Sequence, residues 1–296
     1  MAEINRILVA TDLSPHAGIA VDRAVNLARQ HGATLYLLHA VAEDNSIETI
    51  GPTTLQEDIA RARRLLHEQL EQFDLGGIDC HVLVETGRDF VTIITTARRL
   101  QADLILVGAH GSGFFKDLLF GTTAERVVRK SEIPVLVVKK PATADYQRIL
   151  LPTDFSAAAA QAIPLALALA PAARFDLVHV YSLWGEGRLS PTAMMDAQHH
   201  AAHERIRTQA ELQLRQWLEH LGLEGYRHRS HLRPGRPGVL IPQIAGELHC
   251  DLVVMGTRGR SLLTCILLGS VAEHVLKLGD CDLLTVRPEG FRFEPV

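Results

Sequence analysis

Two glycine-rich stretches carry residues whose types and spacing suit phosphate binding. The first is Gly108-Ala-His110-Gly111, followed after nine residues by Gly121-Thr122-Thr123. The second is Gly256-Thr257-Arg258-Gly259, followed after nine residues by Gly269-Ser270-Val271. Each stretch begins after a short apolar run, Leu104–Val107 or Leu252–Met255, of the kind that forms a buried strand. Each Gly-Thr or Gly-Ser opens a segment patterned as a helix. Glycines let backbone approach a ligand, and a helix N-terminus presents unpaired N–H groups and a positive dipole end to an anion. The hydroxyl of Thr122 or Ser270 adds a donor for a phosphate oxygen. Gly108 and Gly256 are expected to let the strand turn sharply with no Cβ facing a ligand. Arg258 and Arg260 bring fixed positive charge to the second stretch, where the first has His110 and Lys116.

The two stretches are one pattern repeated at an offset of 148 positions, half of the 296-residue chain. The elements around them repeat too. Arg6-Ile-Leu-Val-Ala-Thr-Asp12-Leu-Ser14 returns as Arg148-Ile-Leu-Leu-Pro-Thr-Asp154-Phe-Ser156, and Leu37-Leu-His39 returns as Leu177-Val-His179. Gly87-Arg88 and Asp103 return as Gly235-Arg236 and Asp251. The second half holds six extra residues between its Asp and its glycines, mostly within Trp184 to Gln198. So long a period indicates two homologous domains, each able to bury a core. The expected boundaries are 1–140, a polar linker at 141–146, and 147–296.

Within the first half the periodicity predicts strands at Ile4–Ala10, Thr34–Val41, Cys80–Glu85, Leu104–Val107 and Val135–Lys139. Helices are expected at Pro15–His31, Thr54–Phe73, Asp89–Leu100 and Thr122–Lys130. The second half repeats that order, with a shorter first helix carrying Pro164 and Pro171. Strands alternating with helices, several of them uniformly apolar, indicate an α/β, doubly wound fold with a parallel sheet covered on both faces. Five strands in the order 3-2-1-4-5 fit each half. Ligands in such sheets sit beyond the carboxyl ends of the strands where the winding reverses. That places Asp12 beside Gly108, and Asp154 beside Gly256, although each pair is far apart in the chain.

Composition narrows the function. Nearly half the residues are hydrophobic, net charge is −4, and no basic cluster stands out, which argues against nucleic acid as the main partner. No apolar run approaches a membrane span, and no signal-peptide pattern opens the sequence, so neither membrane nor export is expected. Cys80, Cys250, Cys265 and Cys281 lack CxxC spacing and equivalents between the halves, consistent with buried thiols in a reducing, cytoplasmic setting.

The G-x2-G-x9-G-[S/T] pattern, the Thr-Asp after the first strand and the Ala-Glu after the last Gly-Thr-Thr or Gly-Ser-Val resemble the universal stress protein superfamily. The resemblance covers both halves and implies a tandem member of its ATP-binding branch. By position it implies a nucleotide site at Asp12, Ala40, Gly108, His110, Gly111, Gly121, Thr122 and Thr123. The second site is implied at Asp154, Val180, Gly256, Arg258, Gly259, Gly269, Ser270 and Val271. Adenine is expected near the aspartate and the end of the second strand, and the phosphates of ATP, with or without Mg2+, on the glycines. The smaller Ala40 implies looser base packing than Val180.

Other chemistry is less well supplied. No Walker lysine follows the glycines, no HIGH or SGGxDS signature occurs, and Asp117 is the one carboxylate in the glycine stretches, without a counterpart in the second half. A nucleotide-dependent stress-response binding protein is therefore expected, not an enzyme. A nucleotide-free scaffold and a slow ATPase or phosphotransferase are the alternatives. His199, His200 and His203 include an i,i+4 pair that suits zinc, but no HExxH or carboxylate accompanies them, and a solvated helix face is expected. His39 and His179 read as packed structural residues. The apolar strand Val135–Val138 would lie at a sheet edge, and bare edges seek partners. In the resembled family last strands pair between subunits, which here implies an intrachain pseudo-dimer, with homodimerisation and an unidentified protein partner left open.

Overall fold

The computed structural model describes residues 3–42, 54–109, 121–182, 193–257, 268–288, 290 and 294, with backbone alone at 193–200 and 202. The first half runs β1 (Arg6–Ala10), α1 (Pro15–His31), β2 (Thr34–Val41), α2 (Leu55–Leu70), β3 (Cys80–Thr86), α3 (Asp89–Arg99), β4 (Leu104–Gly108), α4 (Thr122–Lys130) and β5 (Val135–Val138). The second runs β6 (Arg148–Thr153), α5 (Ala157–Leu169), β7 (Arg174–Tyr181), α6 (Ala193–Leu218), β8 (Arg227–Pro234), α7 (Pro237–Glu247), β9 (Leu252–Gly256), α8 (Ser270–Leu278) and β10 (Asp282–Val286). Within each half the strands are parallel and follow the expected order 3-2-1-4-5.

The halves do not form separate sheets. β5 and β10 pair antiparallel, making one ten-stranded sheet in the order β3-β2-β1-β4-β5-β10-β9-β6-β7-β8. At the centre Leu136 faces Leu284, residues equivalent in the two repeats, so a pseudo-two-fold axis passes between them. The apolar strand expected at an edge is therefore interior. The outermost strand of the second half, β8, reads RHRSHLRP, and exposed Arg227, Arg229 and Arg233 blunt that edge with charge.

Alternate residues of each strand feed two cores. Ile7, Val9, Leu104 and Leu106 pack with the apolar stripes of α1, α2 and α5 on one face. Leu8, Ile105, Val107 and Val253 pack with α3, α4, α7 and α8 on the other. Both cores are continuous across the central strand pair, because residues from both halves share each cluster.

Much of the repeat serves this scaffold. Asp103 Oδ2 accepts from the N–H groups of Asn5 and Arg6 at 2.8 and 2.9 Å, and Asp251 does the same for Gln147 and Arg148. The repeated Arg6 and Arg148 donate to Leu100 and Leu248 carbonyls at the ends of α3 and α7. The repeated Gly87 and Gly235 have φ of +131° and +136°, a conformation that L side chains rarely adopt. Two expectations need correction. Pro171 lies beyond the end of α5, and only Pro164 is inside it. That helix has 13 residues against 17 in α1, a larger shortening than the spacing suggested.

Candidate functional site: two crevices at the winding reversal

Strands β1 and β4, and their counterparts β6 and β9, are neighbours whose crossovers leave on opposite faces of the sheet. A crevice opens beyond their carboxyl ends for the reason the order dictates. Thr11-Asp12 and Thr153-Asp154 leave β1 and β6 there in the same tight turn. Thr11 Oγ1 accepts from Leu13 N at 3.0 Å and Thr153 Oγ1 from Phe155 N at 2.9 Å. Asp12 Oδ1 and Asp154 Oδ1 each accept from the serine N–H two residues on, at 3.0 Å. Leu13 and Phe155, between them, hold left-handed φ values of 64° and 63°. Such strain in bulky residues persists only where surroundings impose it. Helix capping falls to the next residue: Ser14 and Ser156 accept from Ala17 N and Ala159 N. The aspartates therefore organise the turn and do not cap the helix.

On the other side of the crevice, Gly121 and Gly269 are the N-cap residues of α4 and α8, and among the described residues no side chain caps either helix. Their own N–H groups donate to Ala109 and Thr257 carbonyls at 2.9 Å, tying both ends of each glycine stretch to the end of its strand. Each helix thus turns its N-terminal N–H groups and dipole toward the crevice, with Thr122 or Ser270 at its first position.

In the second half this arrangement encloses a cavity of about 170 Å³. Asp154, Val180, Gly256, Gly269, Ser270 and Val271, all anticipated, line it together. Ala159, Val178, Pro237, Ile241 and Met255 complete a largely apolar wall. An apolar cavity of about 150 Å³ admits one aromatic ring, so this space is large enough for a planar ring. Thr257 also lines it, and its buried Oγ1 has no hydrogen-bond partner among the described residues. Thr257 belongs to the repeated glycine pattern, which by itself assigns its hydroxyl no role. Pro237 and Ile241 carry no local signal, because α7 reaches the crevice only through the fold, and Met255 is legible only as the last residue of an apolar strand.

Two residues meet partners that the sequence alone does not announce. A Cβ on Gly256 would lie 2.8 Å from the backbone of Ala158, so the close approach of α5 by itself requires a glycine here, and the same residue lines the cavity. Thr123 directs its hydroxyl to the Asp89 carboxylate, across α3 and α4, so that donor is committed within the protein. The equivalent positions in the second half are Val271 and Pro237, an apolar pair lining the cavity. At the position where the first half has the Asp89 carboxylate the second half has a proline. Ala40, next to last in β2, lies opposite Glu85 and is partly exposed, whereas Val180 is buried.

His39 and His179 each hold Nδ1 2.8 Å from the carbonyl of Thr11 or Thr153, and a carbonyl only accepts, so Nδ1 carries the proton. They brace the turns bearing the aspartates. His110, Gly111, Lys116, Asp117, Arg258, Gly259 and Arg260 lie outside the described residues. The side chains of His199 and His200 do as well, although α6 spans both. Among the described residues no group of three or more His, Cys, Asp or Glu could hold a metal. Cys80, Cys250 and Cys281 are free thiols, and burial raises the last two to about 12 and about 11. Among the described residues no helix is long and apolar enough to cross a membrane.

Comparison with known proteins agrees with this architecture. The model of the universal stress protein family matches residues 3–139 and again 145–287. The chain belongs to the universal stress protein family, with two copies of its fold in tandem. Universal stress protein E of Photorhabdus laumondii is 24% identical, the match covering 98% of this chain and 97% of that protein. Universal stress protein E of Escherichia coli K12 is 23% identical over 99% and 96%. The crystal structure of a universal stress protein from Archaeoglobus fulgidus superposes with a TM-score of 0.69 at 22% identity, covering 96% and 97% of the two chains, a likeness of fold.

Proposed function

We propose that this chain is a cytoplasmic, ATP-binding regulatory protein of the stress response, with one nucleotide site in each half. The observation that carries the reading is the second crevice. There an apolar cavity of ring size adjoins an uncapped helix N-terminus, a hydroxyl at its first position and Asp154. Val178, Val180, Ile241 and Met255 would pack the base. Asp154 would accept from a ribose hydroxyl or the adenine amino group. The α8 N-terminus and Ser270 would hold phosphate oxygens, and a bound Mg2+ would offset their charge. The first site would use Asp12, Ala40, Gly121 and Thr122 in the same roles.

Binding without efficient turnover is the expected behaviour. Near the described cradles Asp89 is occupied by Thr123, and Asp12 and Asp154 organise their own turns. Phosphoryl transfer needs metal-holding carboxylates and a positioned base in addition to a cradle. Incubation with MgATP should release ADP far more slowly than about ten turnovers per second, the ordinary enzymatic range.

Calorimetric titration of nucleotide-stripped protein tests the sites. Two sites are expected, the second the tighter. An arginine–phosphate contact from Arg258 or Arg260 would be worth about 1.5–3 kcal/mol, and the second half has no counterpart of the Asp89 carboxylate. Gly121→Val should remove the first site alone and Gly269→Val the second alone. A folded wild type that takes up no ATP would overturn the reading.

A further inference from the structure

The two halves exchange a contact that neither glycine pattern announces. In the first half Gly108 lies opposite Val138, and Ala109 N–H donates to the Val138 carbonyl at 2.9 Å. The next residue, Lys139, reaches into the other half. Its Nζ lies 2.7 Å from Leu276 O and 2.6 Å from Gly279 O, at the C-terminal end of α8. The second half mirrors this. Val286 lies opposite Gly256, Thr257 N–H donates to the Val286 carbonyl at 2.9 Å, and the next residue is Arg287. Arg287 is buried and donates from Nη2 to Val128 O, 3.4 Å away in the last turn of α4. Lys139 and Arg287 are equivalent in the repeat. A third link joins the same helices directly, since Arg129 of α4 lies 3.3 Å from Glu273 of α8.

Helices α4 and α8 have nine residues each, too few to be stable alone. Their orientation depends on what holds their ends. At the crevice end no side chain among the described residues caps them. At the far end the last carbonyls lack intrahelical partners, and a cation there both satisfies them and complements the dipole.

We propose that each half's anion cradle is positioned by a cation of the other half: α8 and the second crevice by Lys139, α4 and the first crevice by Arg287. The affinity consequence rests on the nucleotide reading above, whereas the structural consequence does not. Both cations follow the residue that ties down the start of their own glycine stretch. Each crevice is thereby built beside the support of the other. An ordinary interface contact would instead loosen both halves alike when removed.

Amide hydrogen exchange on the full chain without nucleotide separates the two. Lys139→Met should speed exchange across Ser270–Leu278 by tenfold or more and leave Thr122–Lys130 unchanged, and Lys139→Arg should restore protection. Arg287→Met should do the converse. Titration with ATP then reads the sites singly. In a Gly121→Val background Lys139→Met should raise the Kd of the remaining site severalfold, and in a Gly269→Val background it should not. Equal loosening of both helices, or of neither, overturns the proposal. Should the Met variants fail to fold, Lys139→Gln and Arg287→Gln keep a donor without the charge and are read by the same crossed pattern. If wild type binds no ATP the nucleotide reading falls, while the exchange result still decides whether the caps cross.

Discussion

Gly256 and Lys139 show how single positions are decided by what stands opposite them. At Gly256 a methyl group would meet the Ala158 backbone at 2.8 Å, and backbone yields only if α5 moves. Gly256→Ala should therefore destabilise the protein by about 1–3 kcal/mol, as overpacking does, read as a lowered urea midpoint at unchanged slope. At Lys139 burial pushes the ammonium down to about 8, against the opposing pull of Cys281, Asp282 and Asp280. Between about pH 8 and 10.5 the unfolded chain then holds a proton at this residue that the folded chain has lost. Stability attributable to Lys139 should accordingly rise with pH through that window, by roughly 3 kcal/mol in total. Its charged form is carried at a cost below pH 8. Comparing denaturation of wild type and Lys139→Met from pH 7 to 10 isolates this slope, which the variant should lack.

Helices α1 and α5 begin alike and then diverge. Both start after a left-handed residue, with a serine side chain closing the first turn. Ser14→Ala and Ser156→Ala should each cost about 1 kcal/mol, measurable by thermal denaturation. Inside α5, Pro164 faces solvent and offers no N–H to the preceding turn. Its counterpart in α1 is Asp22, in a helix that runs longer. Pro164→Ala should stabilise the chain by about 1–3 kcal/mol, because it restores a hydrogen bond and removes a ring clash without touching the core. An unchanged or lowered melting temperature would show that the bend itself is needed.

Across the whole molecule the central strand pair makes two halves into one cooperative body. The linker is pinned there too. Tyr146 is buried, donates to Asp282 Oδ2 at 2.6 Å and lies beneath Arg23, whose guanidinium carbon is 4.1 Å from the ring centroid. Burial raises the Asp282 carboxyl, while backbone N–H groups of Lys139 and Lys140, the Tyr146 hydroxyl and Arg23 favour its charged form. Leu136 and Leu284 face each other on the pseudo-axis and both are fully buried. Leu136→Ala and Leu284→Ala should each cost about 2–5 kcal/mol and by similar amounts, since each sits in the mirror image of the other's surroundings. The double variant should depart from additivity by about 0.5 kcal/mol or more because the residues touch. A single transition should persist in wild type, whereas two well-separated transitions would mean that the halves unfold independently.

The duplication, the strand order within each half and the place where Asp154 and Gly256 meet were legible in the sequence. All three follow from local periodicity and from a topology rule that needs only strand order. Gly269 and Ser270 stood out through the repeated glycine pattern, and Val180 through the family resemblance alone; all three line the cavity. What the tertiary structure alone decided lies in partners far apart in the chain. Periodicity predicts an apolar β5 but not that β10 covers it. Thr123 is implied as a site residue by resemblance, and only the fold brings Asp89 beside its hydroxyl. Gly256 reads as a turn beside a ligand, and only the fold shows that α5 also requires a glycine there. Lys139 and Arg287 are unremarkable charges following a strand until the antiparallel pairing carries each to the end of the other half's cradle helix. A local pattern specifies which face a residue turns to the core, and only the packed chain specifies what that residue meets there.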